Sequence, residues 1–194
     1  MRFEYPEGAT PLDPDTISGL IPNLTLQSEL NEFEARNILE AVQWARRARG
    51  MNRDILRITT LRKLHQKMFS LTWQWAGQFR QLQTNIGVSP LQISMRLEQL
   101  CGNTRYQMEN TVYEWEELAV RFHHELVLIH PFPNGNGRHS RLATDILLER
   151  NGQTRFTWGS RSLTESSTVR KEYIQALQEA DRGSFERLLE FVRT

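Results

Sequence analysis

Residues 113–141 read YEWEELAVRFHHELVLIHPFPNGNGRHSR. In the first part, Trp115, Leu118, Ala119, Phe122, Leu126 and Ile129 fall at the i, i+3, i+4, i+7 spacing of one helix face. Val120, Val127 and Leu128 widen that stripe towards its end, which predicts a central and mostly buried helix over 113–129. It runs directly into His130. The second part, 130–141, is dense in prolines, glycines, asparagines and arginines, a composition with no place in a core. After it the pattern turns helical again to about Arg150, with Leu142, Ala143, Ile146 and Leu147 inward and Asn151-Gly152 as the stop.

Upstream, a helix is predicted over about 26–48. Leu30, Phe33, Ile38, Ala41, Trp44, Ala45 and Ala48 form its stripe, and the polar residues Glu34 and Asn37 fall inside it. A carboxylate aimed inward is expensive unless it finds a partner. Asp54 is read as the N-cap of a second helix reaching about Ser70, with His65 beside its apolar face as a satisfied core residue. The stretch 76–90 mixes polar and β-branched residues with Gly77 and Gly87, and reads as an irregular, hairpin-like excursion. Ser89-Pro90-Leu91-Gln92 reads as a capping box opening a helix to about Glu109. Thr154–Trp158 reads as a short extended piece, and two more helices follow over about 166–181 and 184–192, the last capped by Ser184. Prolines and glycines over 1–23 predict an irregular surface arm. The fold class is all-α with one small hairpin.

Bulk properties narrow the function. At 194 residues the chain suits one domain, and 39% hydrophobic with 24% charged residues is ordinary for a globular protein. A net charge of +1 gives no nucleic-acid footprint, so no nucleic acid is expected as partner. No segment approaches the roughly 18 apolar residues of a membrane span. No signal peptide is visible and Cys101 has no second cysteine to pair with, so a cytoplasmic location is the expectation.

The chemistry concentrates in 130–141. Gly135-Asn136-Gly137 permits positive φ and close backbone approach, and successive N–H groups in such a turn make an anion-binding concavity. The helix that begins there adds the positive end of its dipole. Arg138 and Arg141 stand three apart and project from one side of the first turn, as two or more phosphates would require. The alternative is a plain helix-entry turn with Arg141 paired to Asp145. His130, just ahead of the nest, is the side chain best suited to take a proton near neutral pH. Phe132 between two prolines reads as a core anchor. His123-His124-Glu125 resembles a zinc site only briefly, because the next histidine is His130, well around the helix.

These residues resemble the motif of the Fic family of nucleotidyl transferases, His-x-Phe-x-(Asp/Glu)-Gly-Asn-Gly-Arg-x-x-Arg, at every fixed position but one. Trp75-Ala76-Gly77 followed by Arg80 is similar to the family's segment leading into its β-hairpin flap. The resemblance covers roughly 53–194, with 1–52 as an N-terminal arm and inhibitory helix. Asn85-Ile86-Gly87-Val88, the His-Pro-Phe-Pro-Asn segment and Phe156-x-Trp158-Gly159 most resemble the small proteins labelled mobile mystery protein B.

The resemblance implies a Fic-type helical domain that moves AMP from ATP to a Ser, Thr or Tyr hydroxyl of a target protein. It implies His130 as general base, Gly135, Asn136 and Gly137 on the phosphates, Arg138 stabilising charge, and Arg141 on the γ-phosphate. Asn134 stands where the family has an acid for Mg²⁺ (or Mn²⁺); an uncharged amide weakens that site. An inhibitory helix over 26–48 is implied as well. There Glu34, inward-pointing, is the candidate autoinhibitory residue, expected to reach Arg141. Two alternatives accompany this reading. One is a weakly active binding module of a toxin–antitoxin-like pair with a cognate regulator or antitoxin. The other is a related enzyme moving another phosphate-linked group.

Overall fold

The computed structural model describes residues 17–24, 27–47, 54–159 and 167–194. Its helices are α1 Gln27–Arg46, α2 Ile58–Phe69, α3 Ile93–Glu109, α4 Trp115–Ile129, α5 Asn136–Arg150, α6 Ser167–Ala180 and α7 Glu186–Arg193. No strand occurs among the described residues. The β pairing there is an isolated antiparallel bridge, Leu20 to Trp73. It is extended by Ile21 N–H to Thr72 O at 2.9 Å and Gln74 N–H to Gly19 O at 2.9 Å, which fasten part of the N-terminal arm to the α2 exit. Residues 1–16, 25–26 and 48–53, which hold the rest of the arm and both ends of the first predicted helix, lie outside the described residues. No described helix is long and apolar enough to cross a membrane.

α4 is central because both its sides are apolar. Leu118, Phe122, Leu126 and Ile129 enter a core shared with α1, α2, α3 and α5. Ala119 and Val120 enter a second core with Leu148, Phe156, Trp158 and the faces of α6 and α7. The wide stripe in the sequence is therefore two stripes serving two cores, while Leu128 stays 39% exposed at the edge. α1 packs along α2, and α5 against α4, so the 130–135 loop is clasped between them.

Several terminal readings differ from the structure. α2 begins at Ile58 behind Arg57, and Asp54 instead accepts the Leu56 N–H at 2.9 Å in a local turn. Ser89 makes no side-chain cap and precedes a 3₁₀ turn, Pro90–Gln92, before α3. α7 starts behind Phe185, and the Ser184 hydroxyl donates to Glu186 at 2.6 Å. These hydroxyls and carboxylates found nearer partners than the helix ends, the usual competition for short polar side chains.

The expected β-hairpin at 76–90 is not formed. The carbonyls a ladder would use are taken by side chains: Leu82 O and Val88 O by the Arg80 guanidinium, and Thr84 O and Gly87 O by Gln83. With its acceptors satisfied this way, the segment holds its shape as a side-chain-braced loop.

Candidate functional site

The α4 C-terminus ends in a non-glycine residue in the left-handed region: His130 has φ 52° and ψ 59°. Holding an L-residue there costs of order 1 kcal/mol and implies surrounding restraint. The imidazole is 6% exposed, with Nδ1 facing Val127 O at 3.3 Å. A carbonyl only accepts, so Nδ1 carries the proton of the neutral ring and Nε2 is its basic atom. Burial, with the Arg80 cation adding, pushes the ring down to about 4, against the opposing pull of Val127 O. His130 is thus neutral through the physiological range.

The loop after it is built from inside. Asn136 is 3% exposed, and its amide clamps the backbone of Phe132: Oδ1 accepts Phe132 N–H at 2.9 Å and Nδ2 donates to Phe132 O at 2.8 Å. The Asn136 side chain is therefore a strut, and only its backbone N–H can serve an anion. Asn136→Ala leaves two buried backbone groups unpaired, and a loss of about 2–4 kcal/mol in unfolding free energy is expected. A urea transition shifted by less than a third of that amount counts against the strut.

Phe132 is fully buried and stacks on His65, with ring centroids 3.7 Å apart. His65 does more than fill the core. Its Nδ1 accepts the Gly77 N–H at 2.9 Å, so Nε2 must carry the proton that it donates to Asn134 O at 3.0 Å. One buried histidine ties the 134 corner to the 77 turn. The sequence signal was only a histidine beside an apolar stripe.

At Gly135 the chain turns through φ 76°, and a Cβ would strike the Phe69 ring at 2.5 Å, so glycine is required there. At Gly137 a Cβ would meet nothing within 4 Å. The protein makes no steric demand for glycine at 137; the space belongs to whatever approaches the helix end. No side chain caps α5, and the first N–H groups of any α-helix lack intrahelical partners. The start of α5 therefore carries uncapped backbone N–H groups where the anion nest was expected, with the Gly135 N–H itself spent on Asn134 Oδ1 at 2.7 Å.

Arg138 donates to Glu34 Oε2 at 2.6 Å and lies over the Phe69 ring at 4.9 Å. Glu34 is 5% exposed, as its place in the stripe implied, and its other oxygen accepts Trp73 Nε1–H at 2.7 Å. The sequence reading paired Glu34 with Arg141; the structure pairs it with Arg138. Arg141 instead donates from Nε to Gly137 O at 3.2 Å and lies 5.8 Å from the Tyr173 ring centroid. The Asp145 partner considered for Arg141 is engaged by Trp158 Nε1–H at 3.0 Å. Burial lowers the Arg141 pKa, and the Arg138 and Arg170 cations lower it further. Arg170, on α6, belongs to no motif and was missed; it sees both motif arginines electrostatically. Arg138, Arg141 and Arg170 thus lie within electrostatic range of one another, with Glu34 paired to Arg138 and Asp145 felt by Arg141.

The metal expectation at Asn134 fares differently. Its Oδ1 already accepts the Gly135 N–H and stands 3.4 Å from an Arg138 nitrogen, so a divalent ion there would face a guanidinium. No cluster of three or more His, Cys, Asp or Glu suited to a metal occurs among the described residues. Among the described residues, Asn134 offers one neutral oxygen beside a guanidinium, a donor set that does not by itself hold a resident divalent cation.

A cavity of about 360 Å³ between α3, α4 and the start of α7 contains none of the motif residues. Its arginines are balanced: Arg96 pairs with Glu125 at 2.6 Å, and Arg121 with Glu117 at 2.8 Å between the Tyr113 and Phe185 rings. It offers no unbalanced positive charge to an anion.

Comparison with known proteins places this geometry. The family model described as Fic/DOC family matches residues 55–148. Protein adenylyltransferase fic-1 of Caenorhabditis briggsae is 34% identical over 80 residues, covering 40% of this chain and 16% of that protein. The C. elegans Fic-1 structure superposes with a TM-score of 0.68 at 22% identity, over 91% of this chain and 51% of that one. The BepC protein of Bartonella tribocorum with bound AMPPNP gives a TM-score of 0.69 at 19% identity, over 91% and 94%. At those identities the structures establish the fold. The match to the curated relative spans about a sixth of its length. Residues 55–148 are similar to the Fic/DOC family, and the fold around them is that of the solved Fic structures.

Proposed function

We propose that the protein is a nucleotidyl transferase that moves AMP from ATP to a hydroxyl of a Ser, Thr or Tyr side chain in a target protein. The observation that carries the reading is His130: a buried, neutral histidine with Nε2 as its basic atom, one loop ahead of an uncapped helix start flanked by Arg138 and Arg141. Support comes from relatives named as protein adenylyltransferases and from neighbours of the same fold holding AMPPNP or ADP. In the reaction the target hydroxyl oxygen bonds to the α-phosphorus and the bond to the pyrophosphate oxygen breaks. His130 Nε2 takes the hydroxyl proton, and pyrophosphate leaves with the bonding electrons. Backbone N–H groups at 136 and 137, with Arg138 and Arg141, take up the phosphate charge. No step is assigned to a protein-held metal. Incubation with ATP labelled at the α-phosphate, supplied as its magnesium or manganese salt, tests the proposal: label should stay on protein. Label only on free AMP would rule transfer out.

Glu34 is the regulator in this reading. It holds Arg138, fixed in turn by Trp73, so a nucleotide must compete with a buried carboxylate for that guanidinium. Glu34→Gln keeps an acceptor for Trp73 and removes the competing charge. ATP affinity is expected to rise about tenfold, the size of one partly exposed charge-assisted bond. Calorimetry that finds equal affinity in both forms rejects the lock.

A further inference from the structure

The basic residue His130 is held in its left-handed conformation from outside its own helix. Three consecutive carbonyls, at 129, 130 and 131, all accept from the 80–88 segment. Val88 N–H bonds Ile129 O at 3.4 Å, Arg80 Nε–H bonds His130 O at 2.7 Å, and Arg80 N–H bonds Pro131 O at 3.0 Å. The same guanidinium donates from Nη1 to Leu82 O at 2.9 Å and from Nη2 to Val88 O. Arg80 is 3% exposed, and among the described residues its guanidinium is met by the carbonyl dipoles of His130, Leu82 and Val88. Gly87 closes the arrangement, since a Cβ there would fall 2.6 Å from Arg80 Nη2 and 2.7 Å from His130 Cβ.

We propose that Arg80 is a positioning residue for the base: its planar fork fixes the His130 backbone and joins the two ends of the 82–88 loop to it. This rests on the reading of His130 as base. A guanidinium presents fixed donors in several directions, whereas the single nitrogen of lysine cannot reach three carbonyls at once. The loop beside the base and the base itself therefore move as one unit. Leu82 and Ile86, 55% and 45% exposed, stand on that loop in the open.

The test uses Arg80→Lys, which keeps the charge and loses the fork, and Arg80→Gln, which loses both. Both should lower kcat for AMP transfer by about a hundredfold, the effect of roughly 1 Å of misplacement. KM for ATP should stay within about threefold, because the phosphate contacts lie beyond the loop. In Arg80→Gln the His130 ring ¹⁵N shifts at pH 7 should move away from those of a pure Nδ1–H tautomer, a change that loss of stability alone does not produce in the folded state. A variant-free reading comes from the unmodified chain, where the Arg80 Nε–H should exchange at least about a hundredfold more slowly than exposed guanidinium protons. Fast exchange there, or folded variants with unchanged kcat and unchanged His130 ring shifts, overturns the proposal. If the His130 ring responds to Arg80 but the unmodified protein transfers no AMP, the positioning role stands and the assigned reaction falls.

Discussion

His130→Ala is expected to lower the rate of AMP transfer by about a hundredfold to ten-thousandfold, the span a positioned general base contributes. ATP affinity should stay within about threefold, since ground-state phosphate contacts come from the α5 start and the arginines. The separation follows from the site's layout. The base belongs to the end of α4, the anion contacts to the start of α5, and the two are joined by a corner that Asn136 and His65 brace independently of the imidazole. Single-turnover measurement with bound ATP isolates the chemical step. A variant that still transfers AMP within tenfold of the unmodified rate would show that His130 takes no proton in the reaction. The acid limb of kcat/KM should reflect the free imidazole, which burial pushes to about 4, so the rate should be flat from pH 5.5 to 8.

The parts legible in the sequence were those set by local pattern. The α4 stripe predicted a buried helix because periodicity records a face whatever it packs on. The α1 stripe also predicted that Glu34 and Asn37 turn inward, and both are buried, with Asn37 donating to Thr72 at 2.8 Å. The 130–141 pattern marked His130, the glycine turn and both arginines as candidates because glycine, proline and arginine carry backbone and charge requirements in their type. What was not legible depends on distant partners. Glu34 meets Arg138 across 104 positions, and pattern alone gave no reason to prefer it over Arg141. A buried Trp73 with an N–H to satisfy, and an inward Glu34 with a charge to satisfy, were two separate needs whose meeting only the fold reveals. The missing hairpin has the same origin: strand propensity at 80–88 loses to one arginine that bonds the very carbonyls a ladder needs.

Acid is expected to unfold the protein between about pH 5 and 4, because four buried histidines are neutral in the fold. Burial is the first cause in each: it lowers His65 well below its ordinary value, His123 to about 3, and His130 and His139 to about 4. For His139 the geometry agrees, since Nε2–H donates to Leu61 O at 2.9 Å and buried Nδ1 has no partner to receive a second proton's charge. The sign follows from linkage. Each ring binds its proton near pH 6.5 when unfolded and well below that when folded, so its contribution is complete above about 6.5 and is lost as pH falls towards 4. Each removes up to about 1.4 kcal/mol per pH unit. Asp145 works the other way. Burial raises it to about 6, so from there down to about 3.8 the folded state keeps a proton the unfolded state has released, cancelling roughly one histidine. About three rings remain uncompensated over some two units, a loss of several kcal/mol against a typical total of about 5–15 kcal/mol. Urea midpoints measured every half unit from pH 7 to 4.5 should fall steeply, and constant midpoints would mean that the buried rings already carry protons. This loss also governs how catalysis is read at low pH: a fall in activity near pH 5 that tracks the urea midpoint belongs to the core, and only a fall that precedes unfolding belongs to His130.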